Sequence, residues 1–443
     1  MGSEMDHKVK FRTLLVEPVR NGIYKQKQFH GRGCKIINMG ELFGFPRLYD
    51  VPMKRVELTE KEQSKSLVQQ GDLLFARRSL VAEGAGKCSI VSEVNEPTTF
   101  ESSIIRARPN PALASSGYLY YFFSSPLGRE RMATILRQMA VSGITGSDLM
   151  ELEIECPELE HQKKIATFLS ALDDRIALLQ ETNITLEAIA EALFKSWFVD
   201  FDPVRAKAEG VHPKGMDART AALFPDSFVE SEEGLIPKGW KCSNVGKSFI
   251  LTMGQSPPGD TYNESGEGLS FYQGRTDFGF RFPTQRIFCS APTRLAEAGD
   301  TLVSVRAPVG DVNVALQPCA LGRGVASVRH PNGHQSFVFY SVRSLKPHFE
   351  LYDGEGTVFG SINKKDFQAL PVFLPDEPLL EAFGGIAAPL DAGIESNEKR
   401  LRALIQLRDI LLPRLISGQL RLTESEEMVG EICALARERT HVA

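Results

Sequence analysis

Residues 165–197 read IATFLSALDDRIALLQETNITLEAIAEALFKSW, and this stretch decides the architecture. Ile165, Leu169, Leu172, Ile176, Leu179, Asn183, Leu186, Ala190, Leu193 and Trp197 follow one another at alternating spacings of four and three. That alternation keeps one apolar seam on a single helix face, the pattern of a coiled coil. Adding 218 to each position gives Phe383, Ala387, Leu390, Ile394, Asn397, Leu401, Leu404, Arg408, Leu411 and Leu415, again mostly apolar. Two matched runs in one chain favour mutual pairing over two helices that each pack only on their own domain.

The repeat extends beyond the helices. Asp148-Leu149, Leu152 and Pro157 match Asp366-Phe367, Leu370 and Pro375 at the same offset of 218. Upstream, Gly71-Asp72-x-Leu74 with Arg77 resembles Gly299-Asp300-x-Leu302 with Arg306 at a slightly larger offset. A fixed internal offset is the mark of a duplicated structural unit. The chain therefore divides into residues 1–157 and 212–375, two globular parts, and residues 158–211 and 376–443, two helical parts.

Ser170-x-x-Asp173 predicts the start of the first long helix, because serine and an acid three residues on satisfy free amides of the first turn. A separate short helix is then expected before it. In the second copy Pro389 stands near the same point, tolerated at a first helical position, and Pro413 should end or kink the helix a turn early. These limits predict helices of ~25–30 residues, or ~40–45 Å. Each seam holds one asparagine. In an antiparallel pair centred on both runs, facing residues have numbers that sum to about 580, so Asn183 and Asn397 are predicted to meet and fix the register.

The globular parts mix short β-like runs with Gly, Pro, Asn and Asp turn signals. Cys34–Ile37, Gly71–Phe75 and Thr301–Val305 read as strands, Tyr118–Met139 and Phe337–Leu345 as helical. The fold class is α/β: two mixed α/β domains separated by two long helices.

A length of 443 residues allows several domains, and a 42% hydrophobic, 24% charged composition is that of a globular protein. No stretch approaches ~18 uninterrupted apolar residues, and the opening Met1–Arg12 lacks the apolar core of a signal peptide, so the expected location is the cytoplasm. Seven dispersed cysteines without a CxxC pair argue against a disulfide framework and a structural zinc. The net charge of −5 is concentrated in the helical parts: residues 158–211 hold 6 basic against 10 acidic side chains, and residues 376–443 hold 8 against 12. The globular parts are thereby free to present basic surfaces.

Catalytic motifs are missing. Val245-Gly246-Lys247-Ser248 lacks the earlier glycine of a phosphate-binding loop, since position 241 is lysine. Asp200-Phe201-Asp202-Pro203 only faintly echoes the catalytic motif of amino-methyltransferases. The globular parts instead set Arg, Lys and Gln among glycines: Arg32, Lys35, Arg77, Arg78 and Lys87 in the first, Gln273, Arg275, Arg306 and Arg323 in the second. Arginine suits guanine edges and glutamine suits adenine, while lysine and loop amides suit phosphate. These nine are the candidate DNA-binding residues.

The two-copy layout, Gln162-Lys163-Lys164-Ile165 leading to Leu172-Asp173-Asp174-Arg175-Ile176, and Phe194–Pro203 resemble the specificity subunit of type I restriction–modification systems. So do Arg306-Ala307-Pro308-Val309-Gly310 and Leu412–Gly418. The resemblance implies two target recognition domains in a pseudo-twofold repeat, each reading half of a bipartite double-stranded DNA site. It implies that the helices form an antiparallel coiled coil that spaces the half-sites and docks two modification subunits. Ile165, Leu172, Ile176, Asn183, Leu186, Leu193, Trp197, Leu390, Ile394, Asn397, Leu404 and Leu411 are the seam residues expected to serve that pairing and docking. S-adenosylmethionine, ATP and Mg would then reside in modification and restriction subunits, with no cofactor or metal on this chain and no catalysis by it. The alternatives are a self-contained DNA methyltransferase or nuclease, and a coiled-coil protein whose loops read another protein.

Overall fold

The computed structural model describes residues 8–79, 84–137, 142–231, 234–354 and 360–421. The chain forms two compact units, one of residues 1–177 with 402–443, the other of residues 178–401. Both are mixed α/β, and each contains a half of both long helices.

In the first unit, a five-stranded sheet runs in the order Arg20–Asn21, Ile104–Ala107, Leu73–Ala76, Cys88–Val91, Arg47–Leu48. Side chains alternate across it, as a strand's period of two requires. Leu73, Phe75, Ile105 and Ala107 enter an inner core with the helix Ser116–Ser124 and with Ile165, Leu169 and Leu172 of the long helix. Leu74, Ala76 and Ile104 face an outer core with Ile37, Leu42 and Phe100. A three-stranded sheet of Lys54–Val56, His30–Ile37 and Thr98–Phe100 belongs to that outer layer.

The second unit repeats the plan. Thr301–Ser304 and Val325–Arg329 pair antiparallel at the centre of a four-stranded sheet. Val303, Ala326 and Val328 enter the inner core with the helix Gln335–Ser344, and Leu302 and Val325 face the outer one. The outer layer is a five-stranded sheet ordered Tyr262–Asn263, Phe288–Cys289, Leu269–Tyr272, Cys319–Leu321, Leu295–Ala296.

The Gly-Asp pair noted in both copies builds one and the same turn. Gly71 and Gly299 adopt φ of 88° and 85°, a region that favours glycine. The following aspartates, each 1% exposed, accept the backbone N–H three residues earlier, Gln69 at 2.8 Å and Glu297 at 2.9 Å. Each carboxylate also takes a two-pronged arginine: Arg108 Nε and Nη2 on Asp72, both at 2.8 Å, and Arg329 Nε and Nη2 on Asp300 at 2.6 and 2.8 Å. Such forked pairing is the strongest arrangement available to the two ions.

The helices differ from expectation. They run unbroken over Leu159–Phe198 and Glu377–Ile416, 40 residues each, which at 1.5 Å per residue is ~60 Å. Ser170 does not cap a start; its hydroxyl donates to Thr167 O at 3.0 Å inside the helix. Asp173 is likewise internal and points to a tyrosine. Pro389 lies inside the second helix, and Pro413 does not end it a turn early, because the helix continues to Ile416. The segments before Ser170 and Pro389 are therefore first turns of the long helices, not separate elements. The helical stretch Tyr118–Met139 is two helices, Ser116–Ser124 and Pro126–Ala133, divided where Ser125 caps the second; its last two residues lie outside the described ones.

Among the cysteines, Cys88, Cys156, Cys289 and Cys319 are buried free thiols and Cys242 is exposed; Cys433 lies outside the described residues. No described helix is long and apolar enough to cross a membrane.

Candidate nucleic-acid interface

Within the second unit the helix halves pair antiparallel. Asn397 Nδ2 donates to Asn183 Oδ1 at 2.9 Å, and Asn183 Nδ2 donates to buried Glu398 at 2.9 Å. Further along, Phe194 packs against Phe383, ring centroids 5.8 Å apart. In the first unit Ile165 packs with Leu169 and Leu172 in one buried cluster with Leu407, Leu411 and Leu415. Ile176, Trp197 and Ile394 are buried, while Leu186, Leu193, Leu390 and Leu404 are half-buried. Arg408, the charge in the seam, donates to Asp173 at 3.0 Å and so finds a partner inside its own unit.

The matched aspartates of the two helices hold matched tyrosines. The Tyr121 hydroxyl donates to Asp173 at 2.7 Å, and the Tyr340 hydroxyl donates to Asp391 at 3.0 Å. Desolvation first, then the neighbouring carboxylate, pushes the Tyr121 phenol far above its ordinary range, so it stays a donor. Both tyrosines come from the helix that covers the inner sheet face, and each bond ties that helix to the long ones.

The nine candidate DNA-binding side chains sort by whether the fold already neutralises them. Lys35 contacts Asp50 and lies 3.1 Å from Glu96, and these carboxylates raise its pKa. Lys87 donates to Phe43 O at 3.1 Å and sits over the Phe43 ring. Arg32, exposed on a bulge of its strand, pairs with Glu57 at 2.9 Å, and Arg275 pairs with Asp311 at 2.5 Å. Arg77, half-buried, reaches Ser102 O at a long 3.5 Å. Arg78 and Arg306 are exposed and have no acidic partner among the described residues; Arg323 is exposed and donates to Ser256 Oγ at 3.2 Å.

Geometry brings Gln273, Arg306 and Arg323 to one edge of the second unit. Three segments meet there so closely that side chains are excluded at the crossing points. A Cβ on Gly324 would stand 2.2 Å from Gln273 O, and one on Gly254 would stand 2.1 Å from Gly322 O. Val305 N donates to Gly324 O at 2.9 Å, which sets Arg306 just past the same strand end. In the first unit Arg77 N donates to Ser103 O at 2.8 Å, so Arg77 and Arg78 leave the equivalent strand at the equivalent place. Such an edge offers planar donors and amides around a narrow backbone, chemistry suited to base edges and phosphates.

Two sequence motifs have structural roles. Val245–Ser248 is a single helical turn capped by Asn244, whose side chain accepts Lys247 N at 3.0 Å. Asp200–Pro203 forms the turn that ends the first long helix: Phe201 has φ 57°, and Ser196 Oγ donates to Asp202 at 2.7 Å. Phe198 and Phe201 both pack on Trp240. Sequence reasoning missed Tyr24, an aromatic 81% exposed between the strands Arg20–Asn21 and His30–Ile37, and it missed Tyr121, Tyr340 and Arg281. The signal for Tyr24 was an aromatic followed closely by Lys25 and Lys27.

Comparison with known proteins follows the same line. The family model described as the type I restriction modification DNA specificity domain matches residues 18–188. A putative type I restriction enzyme MjaX specificity subunit of Methanocaldococcus jannaschii is 29% identical over 425 residues, covering 94% of each chain. The type I restriction enzyme HindI specificity subunit of Haemophilus influenzae is 25% identical, over 81% of this chain and 88% of its own. The solved S subunit of a type I restriction-modification system from M. genitalium shares the fold, with a TM-score of 0.62 at 16% identity, covering 94% of this chain and 99% of its own. By its duplicated α/β plan, its domain match over residues 18–188 and its relatives, the chain is similar to the specificity subunits of type I restriction–modification systems.

Proposed function

We propose that this chain is the sequence-reading, non-catalytic subunit of a type I restriction–modification complex. Each unit reads one half of a bipartite double-stranded DNA site through its outer layer. The single observation that carries this reading is the repeated strand-end edge, with Arg77 and Arg78 in one unit and Gln273, Arg306 and Arg323 in the other. Those side chains have no carboxylate partner among the described residues, unlike Lys35 and Arg275. In this reading Arg32, Lys35, Lys87 and Arg275 orient loops rather than contact bases.

The long helices space the half-sites and dock two modification subunits, which bring S-adenosylmethionine; restriction subunits add ATP- and Mg-dependent translocation and cleavage. Dinucleotide steps between the half-sites are then unread except through DNA shape.

The test is competition binding of the complex with its modification subunit, using duplexes that carry both half-sites, either one alone, or neither. Sequence reading predicts that both half-sites together bind at least about 10³-fold more tightly than unrelated DNA. Equal binding to all four duplexes, or equal binding by the modification subunit without this chain, would reject it.

A further inference from the structure

The outer layer of the second unit is anchored by one buried arginine. Arg281 lies in the loop between Leu269–Tyr272 and Phe288–Cys289, the loop that also carries Gln273 and Arg275. It is 2% exposed. Its Nε donates to Glu187 of the first long helix at 3.1 Å, and its Nη1 donates to Asp391 of the second at 3.1 Å. Nη2 donates to the Tyr340 hydroxyl at 3.0 Å, and the guanidinium stacks 3.8 Å over the Phe339 ring. One planar fork thus touches both long helices and the covering helix together.

The loop that bears Arg281 is itself stiff. Arg286 pairs with Asp277 at 2.5 Å, and Asn313, 1% exposed, accepts Gly279 N at 3.2 Å while donating to Gly279 O at 3.0 Å. A rotation of the outer layer on the helices would therefore have to pull Arg281 out of its acids. The first unit has a looser version: Arg47, on the edge strand of its sheet, donates to Asp174 of the long helix at 2.7 Å, and Asp174 is largely exposed.

We infer that Arg281 is a positioning residue that sets the angle of the second unit's outer layer on the helical spacer, that Arg47 does the same more weakly for the central sheet of the first unit, and that through them the fold sets the DNA spacer length the complex accepts. The inference rests on the DNA-reading function proposed above. Side chains that merely stabilise the fold would change activity on every DNA alike; a positioning residue changes the preference between spacers. Misplacement by about an ångström costs up to ~10²-fold in a positioned reaction, so a freed outer layer narrows the gap between right and wrong spacers.

The experiment measures methyl transfer by the reconstituted complex with its modification subunits. Its duplexes carry both half-sites at the native spacing, and at one and two base pairs more or less. The variants are Arg281→Met combined with Glu187→Gln and Asp391→Asn, which leaves neither acid charged beside a missing partner, together with Arg281→Lys and, at a half-buried position, Arg47→Gln. The expected result is a roughly tenfold fall in native-over-altered spacer preference for the triple variant, partly recovered in Arg281→Lys. Arg47→Gln should give a smaller fall, and base preference within each half-site should be retained. An unchanged spacer preference overturns the inference, as does loss of base preference or of all methylation in these variants. A wild-type complex that methylates without regard to half-sites would instead bring down the DNA-reading function itself.

Discussion

Asn183 and Asn397 share a hydrogen bond of 2.9 Å, side chain to side chain, and Asn183 passes its remaining donor to Glu398 at 2.9 Å. The contact lies among apolar seam residues, where a polar side chain is tolerated only opposite another. Sliding either helix by a heptad would strand Glu398, which is buried, against an apolar face. The trio thus fixes register by penalising the alternatives.

Asn183→Leu should destabilise the second unit by about 1–3 kcal/mol, since it leaves the Glu398 carboxylate and the Asn397 amide without partners. Replacing all three with leucine should recover most of that loss while permitting shifted pairings. Urea unfolding measures the first effect, and cysteine cross-linking across the helix pair at matched and shifted registers measures the second.

Asp72→Ala and Asp300→Ala should each cost about 2–4 kcal/mol, below the full penalty for a broken buried pair because Arg108 and Arg329 keep some contact with water. The damage should stay within one unit in each case. Hydrogen exchange would show faster amides around Leu73–Ala76 for the first substitution and around Thr301–Ser304 for the second.

His330 gives the second unit a pH dependence. Burial, with the nearby His334, lowers its pKa below the ordinary 6.5, and Glu377 opposes this weakly. Its Nδ1 accepts Asn332 N at 3.1 Å, a bond that requires an unprotonated nitrogen. The unfolded chain therefore binds the proton first as pH falls below 6.5, so folding stability declines from there down to the folded-state value. Melting temperature should drop as the pH falls below 6.5, and His330→Gln should flatten that slope.

Arg77→Ala should weaken discrimination at one half-site and Arg306→Ala at the other, each by about 1–3 kcal/mol if they meet base edges. Lys35→Ala serves as the control, because Asp50 and Glu96 already neutralise that charge. Equal weakening on all sequences, with a shallower salt dependence, would make the arginines phosphate contacts instead.

Much of this was legible in the sequence because periodicity and repetition survive in residue order. The seam spacing located both long helices, and the matched runs around the Gly-Asp pair located a central strand of each sheet, although Gly71 and Asp72, read as part of that strand, build the turn before it. The partners of those aspartates were not visible: Arg108 and Arg329 sit at or just past the far ends of neighbouring strands, and no local pattern links them to Asp72 and Asp300. Helix starts were misread for a related reason. Ser170 and Asp173 carry capping side chains, but tertiary contacts use Asp173 to hold Tyr121 and Arg408, and the helix runs straight through. Residue type alone marks the candidate DNA-binding residues and cannot reveal that Lys35 and Lys87 are engaged internally. Only the fold separates them from Arg78 and Arg306.

The most direct test of the central claim is a genome-wide map of N6-methyladenine in cells expressing this chain with its modification subunit, against cells lacking only this chain. A bipartite motif that vanishes without the chain, and whose halves respond separately to Arg77→Ala and Arg306→Ala, is the predicted result. An identical methylation pattern in both cells, with the modification subunit folded and bound, would contradict it.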